Sequence, residues 1–185
     1  MRPQKIADDQ LLPALTRVFR TKGYEGASLK ELAEVTGLKK ASLYHRFPDG
    51  KQEMAESVLE YMGQWVTINI FNILTNEEYP PETRLKHALV QIGKLYDGGK
   101  DGCIFRAFSM QAGLDLFQEG IKKGMNDWLN AFKNLGTAMG LSDKIAEENA
   151  LQSLIDIQGS LILSKGLQDN NIFKNTLKKI ENRYG

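Results

Sequence analysis

Cysteine occurs once in 185 residues, at Cys103, so an internal disulfide and a zinc site of cysteine type are both excluded. Histidine is nearly as scarce. His45 and His87 are the only two, and no GxSxG, HExxH, CxxC or Walker pattern accompanies them. His87 has Glu82 and Asp97 near it in sequence as conceivable partners for a base, yet a solvated or core histidine explains it better. The expectation is that the chain is not an enzyme and holds no metal and no cofactor. No apolar run reaches the ~18 residues of a membrane helix, and MRPQKIADDQ at the N-terminus lacks the apolar core of a signal peptide. A cytoplasmic protein with no membrane partner is the reading. An excess of one charge is also missing, since 24 basic residues face 23 acidic ones for a net of +1.

What is present begins with a conventional globular composition. At 42% hydrophobic and 25% charged residues the chain is neither disordered nor fibrous, and its length allows a substantial core. The charge becomes informative once divided. Residues 1–51 hold ten Lys and Arg against six acids, net +4, and the remainder fourteen against seventeen, net −3. A basic N-terminal segment on an acidic body fits contact with phosphates at one end only.

The stretch SLKELAEVTGLKKASLYHRFPDGK, residues 28–51, carries the most chemistry. Leu29, Leu32, Ala33 and Val35 give a short helix one apolar face, and Gly37 supplies a residue tolerant of positive φ where that helix stops. A second helix begins almost at once. Over Lys40 to Phe47, Leu43 and Phe47 lie four residues apart on one side and leave Ala41, Ser42, Tyr44 and His45 on the other. Two short helices joined by a tight glycine turn, the second with small, hydroxyl and basic groups outward, is the layout of a DNA-reading helix-turn-helix. Small residues let a helix backbone near base edges, which suits Ala41 and Ser42. Ammonium, imidazole and hydroxyl groups meet phosphates, which suits Lys39, Lys40, Tyr44, His45 and Lys51. The same layout occurs in all-α proteins that never touch DNA, so spacing alone does not decide.

The run FRTKGYEGASLKELAEVTGLKKASLYHRFPDGKQEMA resembles the N-terminal signature of TetR-type repressors. Phe19, Gly23, Tyr24, Ser28, Leu32, Ala33, Gly37, Leu38, Ser42, Leu43, Tyr44, Phe47 and Lys51 stand where that pattern wants such residues. The resemblance covers about the first third of the chain and implies an all-α fold of about nine helices: a three-helix helix-turn-helix domain, 1–50, then a larger ligand-binding and dimerisation domain, 51–185. It also implies that Ser28 joins the DNA contacts. In this reading the chain is a homodimeric regulator, a repressor released from its operator by a small apolar or electrophilic effector. The alternative is a helical ligand-binding or interaction module without DNA binding.

A first helix is expected from Asp8 or Asp9 to Lys22, with Leu11, Leu12, Leu15, Val18 and Phe19 as its stripe and Gly23 as its end. Pro13 either delays its start or bends it. Arg2 and Lys5 ahead of it would form an arm toward phosphates or a minor groove. A helix from Lys51 runs on toward Leu74, its first amides favouring an anion beside Lys51. The Pro80–Pro81 pair breaks the chain before a helix over about 82–96. Apolar residues at 114, 117, 121, 125, 128, 132, 135 and 139 predict a long helix ended by Gly140, and Ser142 caps the next. That next helix is apolar over more than one stripe, through Leu151, Leu154, Ile155, Ile157, Leu161, Ile162, Leu163 and Leu167, which calls for cover on two sides, most simply by a second copy. Asp169 to Arg183 supplies the last helix.

Aromatic residues gather in the middle of the chain, and Trp65, Phe105, Phe108 and Trp128 are the candidates for an effector pocket, against the plainer reading of ordinary core. Cys103 follows Gly98, Gly99 and a possible Asp101 cap, so the spacing predicts it in the first turn of a helix, where the dipole and Arg106 would favour a thiolate. The segment DGCIFRAFSMQAG is weakly similar to the glycine–cysteine segment of those TetR-type repressors that answer electrophiles or oxidants. That similarity implies Lys165 as a partner amine. A small buried hydrophobe is the competing reading of Cys103.

Overall fold

The computed structural model describes residues 8–185, and the basic arm read at Arg2 and Lys5 lies outside the described residues. Every regular element among those residues is helical: α1 (Asp8–Gly26), α2 (Leu29–Thr36), α3 (Lys40–Arg46), α4 (Lys51–Val66), α5 (Asn72–Thr75), α6 (Pro81–Leu95), α7 (Ile104–Phe108), α8 (Gln111–Ala138), α9 (Asp143–Leu167) and α10 (Asn171–Tyr184). A π turn at Thr67–Phe71 carries α4 into α5, so the expected long path from Lys51 exists but widens midway. A wider turn denies a carbonyl its usual partner four residues on. The Asn69 side-chain amide donates to Trp65 O at 2.8 Å.

Pro13 lies within α1, which begins at Asp8 regardless. Pro13 is the sixth residue of the helix, past the first turn, so its missing N–H removes one rung of the ladder, the bond to the Asp9 carbonyl. Gly23, at φ 72° and ψ 177°, breaks the helical backbone just where the stripe of Leu11, Leu15, Val18 and Phe19 has been used up.

The contacts divide the chain differently from a boundary at residue 50. One compact unit is Met1–Gly63 with Ile104–Ile121, and the other is Gln64–Cys103 with Lys122–Gly185. The reason in the first unit is aromatic. Phe108 meets Phe19 edge-on at 5.3 Å between centroids and lies 5.0 Å from Phe117, while Tyr24 meets Phe117 edge-on at 5.0 Å. These rings bring α7 and the start of α8 onto α1, and Leu15, Phe19, Leu32, Leu43 and Met54 are fully buried there. Such pairs add to the area that the rings remove from water.

In the second unit a row of rings runs from Phe71 to Trp128 (5.3 Å), Phe132 (6.0 Å) and Tyr184 (6.1 Å). Helix α10 packs on α9 and α6, with Phe173 fully buried and 5.8 Å from Tyr96. Its end is tied down by charge. Arg183 donates to Asp156 and, at 3.0 Å, to Ser153 Oγ. Burial opposes ionisation of Asp156, but the hydrogen bonds from Arg183 and Gln152 outweigh it and hold the carboxyl below its ordinary range. Ser142 caps α9 as expected, accepting from the Ile145 amide.

Candidate nucleic-acid interface

Helix α2 starts from a reciprocal cap. The Ser28 hydroxyl accepts from the Glu31 amide at 3.2 Å, and Glu31 Oε2 accepts from the Ser28 amide at 3.1 Å and from its hydroxyl at 2.9 Å. The backbone bond from Ser28, then its hydroxyl, then Lys22 at 3.6 Å keep the exposed Glu31 carboxyl below the usual range. Ser28 is thus exposed but already engaged, and the S-x-x-E spacing could have revealed that role. Helix α2 ends at Gly37, left-handed at φ 62°, whose amide donates to Glu34 O. Three residues later α3 begins.

Leu43 and Phe47 are buried, at 0% and 8% exposure, and fasten α3 by one face. The other face is open: Lys39, Lys40, Ala41, Ser42, Tyr44 and His45 are all exposed, as is Arg46 in the last turn. No carboxylate occurs between Glu34 and Asp49, so this surface is basic along its whole length. No side chain caps the first turn of α3, which leaves its amides directed outward beside Lys39 and Lys40. Tyr44 is 45% exposed and its ring lies over the turn into α4, 3.2 Å from where a Cβ on Gly50 would sit. At the start of α4 the Asp49 amide donates to Glu53 Oε2 at 2.9 Å.

Lys51 is half-buried and already has partners. Its Nζ stands 4.5 Å above the Tyr24 ring and donates to Glu25 O at 3.5 Å. Burial first, and the Glu56 charge second, push the Tyr24 hydroxyl up from its ordinary value. The neighbouring open groove between α1 and α2, lined by Arg17, Val18, Thr21, Lys22, Glu31, Glu34 and Val35, mixes both signs of charge and has no aromatic wall.

The four pocket candidates divide between the two units. Phe105, half-buried, and Phe108, fully buried, belong to the first unit, where Phe108 packs against Phe19 and Phe117. Trp65, half-buried, and Trp128, buried between Phe71 and Phe132, belong to the second. Cys103 falls just before α7 and not in its first turn, because helical geometry starts at Ile104. It is 3% exposed, whereas Lys165 stands exposed near the end of α9. His87 is exposed on α6, its ring edge-on to Tyr79 at 5.9 Å, and no cluster of metal-ligating side chains exists among the described residues.

Residues 11–58 match the model of the bacterial regulatory proteins of the tetR family. The HTH-type transcriptional regulator LmrA of Bacillus subtilis (strain 168) is 25% identical over 161 residues, covering 84% of this chain and 85% of that protein. The crystal structure of a TetR transcriptional regulator from Legionella pneumophila superposes with a TM-score of 0.82 at 18% identity, covering 97% of this chain and 98% of that one. A cysteine mutant of the TetR-family regulator CifR, solved with 26-base-pair double-strand operator DNA, superposes with a TM-score of 0.70 at 20% identity, covering 99% and 98%. These relatives are named as regulators and none as an enzyme. The N-terminal segment is thus similar to the tetR family, and the chain as a whole shares its fold with solved TetR-type regulators.

Proposed function

We propose that this TetR-type transcriptional regulator is a homodimeric repressor of the cytoplasm that holds its operator with α3 and lets go when a small apolar or electrophilic effector binds. One observation carries the reading: α3 is pinned by Leu43 and Phe47 and turns a continuous carboxylate-free face of Lys39, Lys40, Ala41, Ser42, Tyr44 and His45 to solvent. A helix so held presents a rigid surface of the width a major groove accepts. Ser42 and Ala41 would approach base edges, Lys39, Lys40, Tyr44 and His45 the flanking phosphates, and Lys51 a phosphate at the start of α4. Ser28 enters through the capped start of α2.

A second copy fits α9. Leu151, Ile155 and Ile162 recur on one side at 51%, 52% and 56% exposure, with Gly159 facing open space among them, while Ala150, Leu154, Ile157 and Leu161 are buried on the other. Covering that stripe with its own copy would set two α3 helices at half-sites roughly 34 to 36 Å apart or more. An effector near Trp65 and Trp128 would act on the path through α4, whose π turn is its least regular point, and would favour release by binding better to the spread arrangement.

The test is a salt titration of binding to duplex DNA from the region upstream of the gene. A steep fall in affinity with salt is expected. Binding indifferent to salt, or none, would leave the alternative of an interaction module without DNA. An electrophilic effector would act at Cys103 with Lys165 as a partner amine, and this arm of the reading falls if Cys103→Ser leaves release by quinones, hypochlorite or aldehydes unchanged.

A further inference from the structure

Helix α8 begins with an unusual debt. Gln111 enters it at φ +48°, a left-handed conformation for a non-glycine residue, and the first turn holds no acidic side chain of its own. The first amides of so long a helix attract a negative charge. That charge comes from 87 residues earlier in the chain: Glu25 Oε1 accepts from the Ala112 amide at 2.8 Å. The approach is close on every side. A Cβ on Gly113 would lie 2.9 Å from Phe108 O and 3.4 Å from Tyr24 Cβ, so no larger residue fits between α8 and the Tyr24–Glu25 segment.

The same two residues hold Lys51. Its ammonium gives one hydrogen bond to the Glu25 carbonyl and rests on the Tyr24 ring. An ammonium has three N–H donors; with one turned to the Glu25 carbonyl and another side against the Tyr24 ring, a donor is left for an anion, and the position of the charge is set in advance. A lysine biased toward one position by a long hydrogen bond and an aromatic face loses less rotamer freedom when it meets a phosphate than a free one does. Glu25 therefore has two separate jobs. Its backbone orients the lysine, and its side chain fastens that backbone to α8.

We propose that Glu25 is a positioning residue for DNA binding, acting through Lys51: the carboxylate cap on α8 fixes the Tyr24–Glu25 segment, and that segment presents the Lys51 ammonium to a phosphate. The inference rests on the DNA-contact reading of Lys51 and adds a residue that touches no DNA itself. It also makes the capping bond a point at which movement of α8 would be felt as a change in DNA affinity.

A double-mutant cycle on the full chain tests it, with a random-sequence duplex about three helical turns long as the probe, because a phosphate contact is independent of sequence. Glu25→Ala is expected to weaken binding about three- to tenfold, and Glu25→Gln less, since an amide acceptor keeps a weaker, uncharged form of the bond. In a Lys51→Ala background neither change should weaken binding further. A purely structural role would give losses that add to that of Lys51→Ala, and this additivity, or wild-type affinity in Glu25→Ala, would overturn the proposal. Should Glu25→Ala fail to fold, the cycle with Glu25→Gln decides the same question. Wild-type protein that shows no salt-dependent binding would instead remove the DNA reading itself, and wild-type binding that Lys51→Ala leaves unaltered would remove Lys51 and Glu25 together.

Discussion

Gly37 and Ser28 frame the smallest scale at which the interface is decided. At φ 62° Gly37 occupies a region that costs an L-residue roughly 1 kcal/mol or more, and replacing it by alanine should lower thermal stability by about that amount and weaken DNA binding in step. Ser28→Ala removes half of a reciprocal cap, a loss of about 1 kcal/mol, and the unfolding midpoint in denaturant should report it. Because the Glu31 carboxyl is held below its ordinary value, the cap is intact above the usual carboxylate range and loosens as pH falls through the folded-state value. Lys51→Ala should weaken binding to all sequences and reduce the dependence of log affinity on log salt by about one, whereas Ser42→Ala should alter which operator is preferred. Comparable losses from both on specific and random DNA would contradict that division. Tyr184 gives a pH effect of the opposite sense. Burial pushes its hydroxyl up to about 12, against a milder pull from Ser153 and Arg183. A raised value means the contribution is full below about 10 and lost as pH rises through about 12, on the order of 3 kcal/mol at most. Alkaline melts of the wild type and Tyr184→Phe should therefore diverge in that window, the variant changing less.

Among the elements, α3 depends on very little. Seven residues cannot hold a helix in water by propensity, so its existence rests on burying Leu43 and Phe47. Leu43→Ala should cost about 2–5 kcal/mol and abolish DNA binding by unfolding the reader, seen as a lower melting temperature and not as an altered sequence preference. Helix α9 presents the reverse case, an element with more apolar surface than one chain covers. Ile155→Glu places a charge in the middle of the proposed second interface. Sedimentation should then show a monomer, and operator binding should collapse although the fold survives, because residue 155 is half-exposed in the single chain and its loss opens no cavity.

For the whole molecule, the periodicities at 114–139 and 145–167 were enough to place α8 and α9, and Gly140 and Ser142 marked the break between them. The helix-turn-helix was legible because all its signals are local: an apolar pair four residues apart, a left-handed glycine, a cap. What resisted reading was everything that joins distant segments. From its aromatic neighbourhood in sequence Phe108 could be pocket lining or ordinary core, and the glycines before Cys103 placed it in the first turn of a helix. Their surroundings depend on which helices pack there, which no spacing encodes.

The amino-acid order by itself determined that the chain is helical, where its short N-terminal pair of helices turns, and which side groups that pair leaves outward, because these follow from residue period and backbone preference over a few positions. Only the tertiary structure decided that Lys51 rests on Tyr24, that Glu25 caps a helix 87 residues away, and that α7 with the start of α8 joins the first unit. Those arrangements come from aromatic packing and from an unsatisfied helix end finding a carboxylate, and both are properties of surfaces brought together by folding.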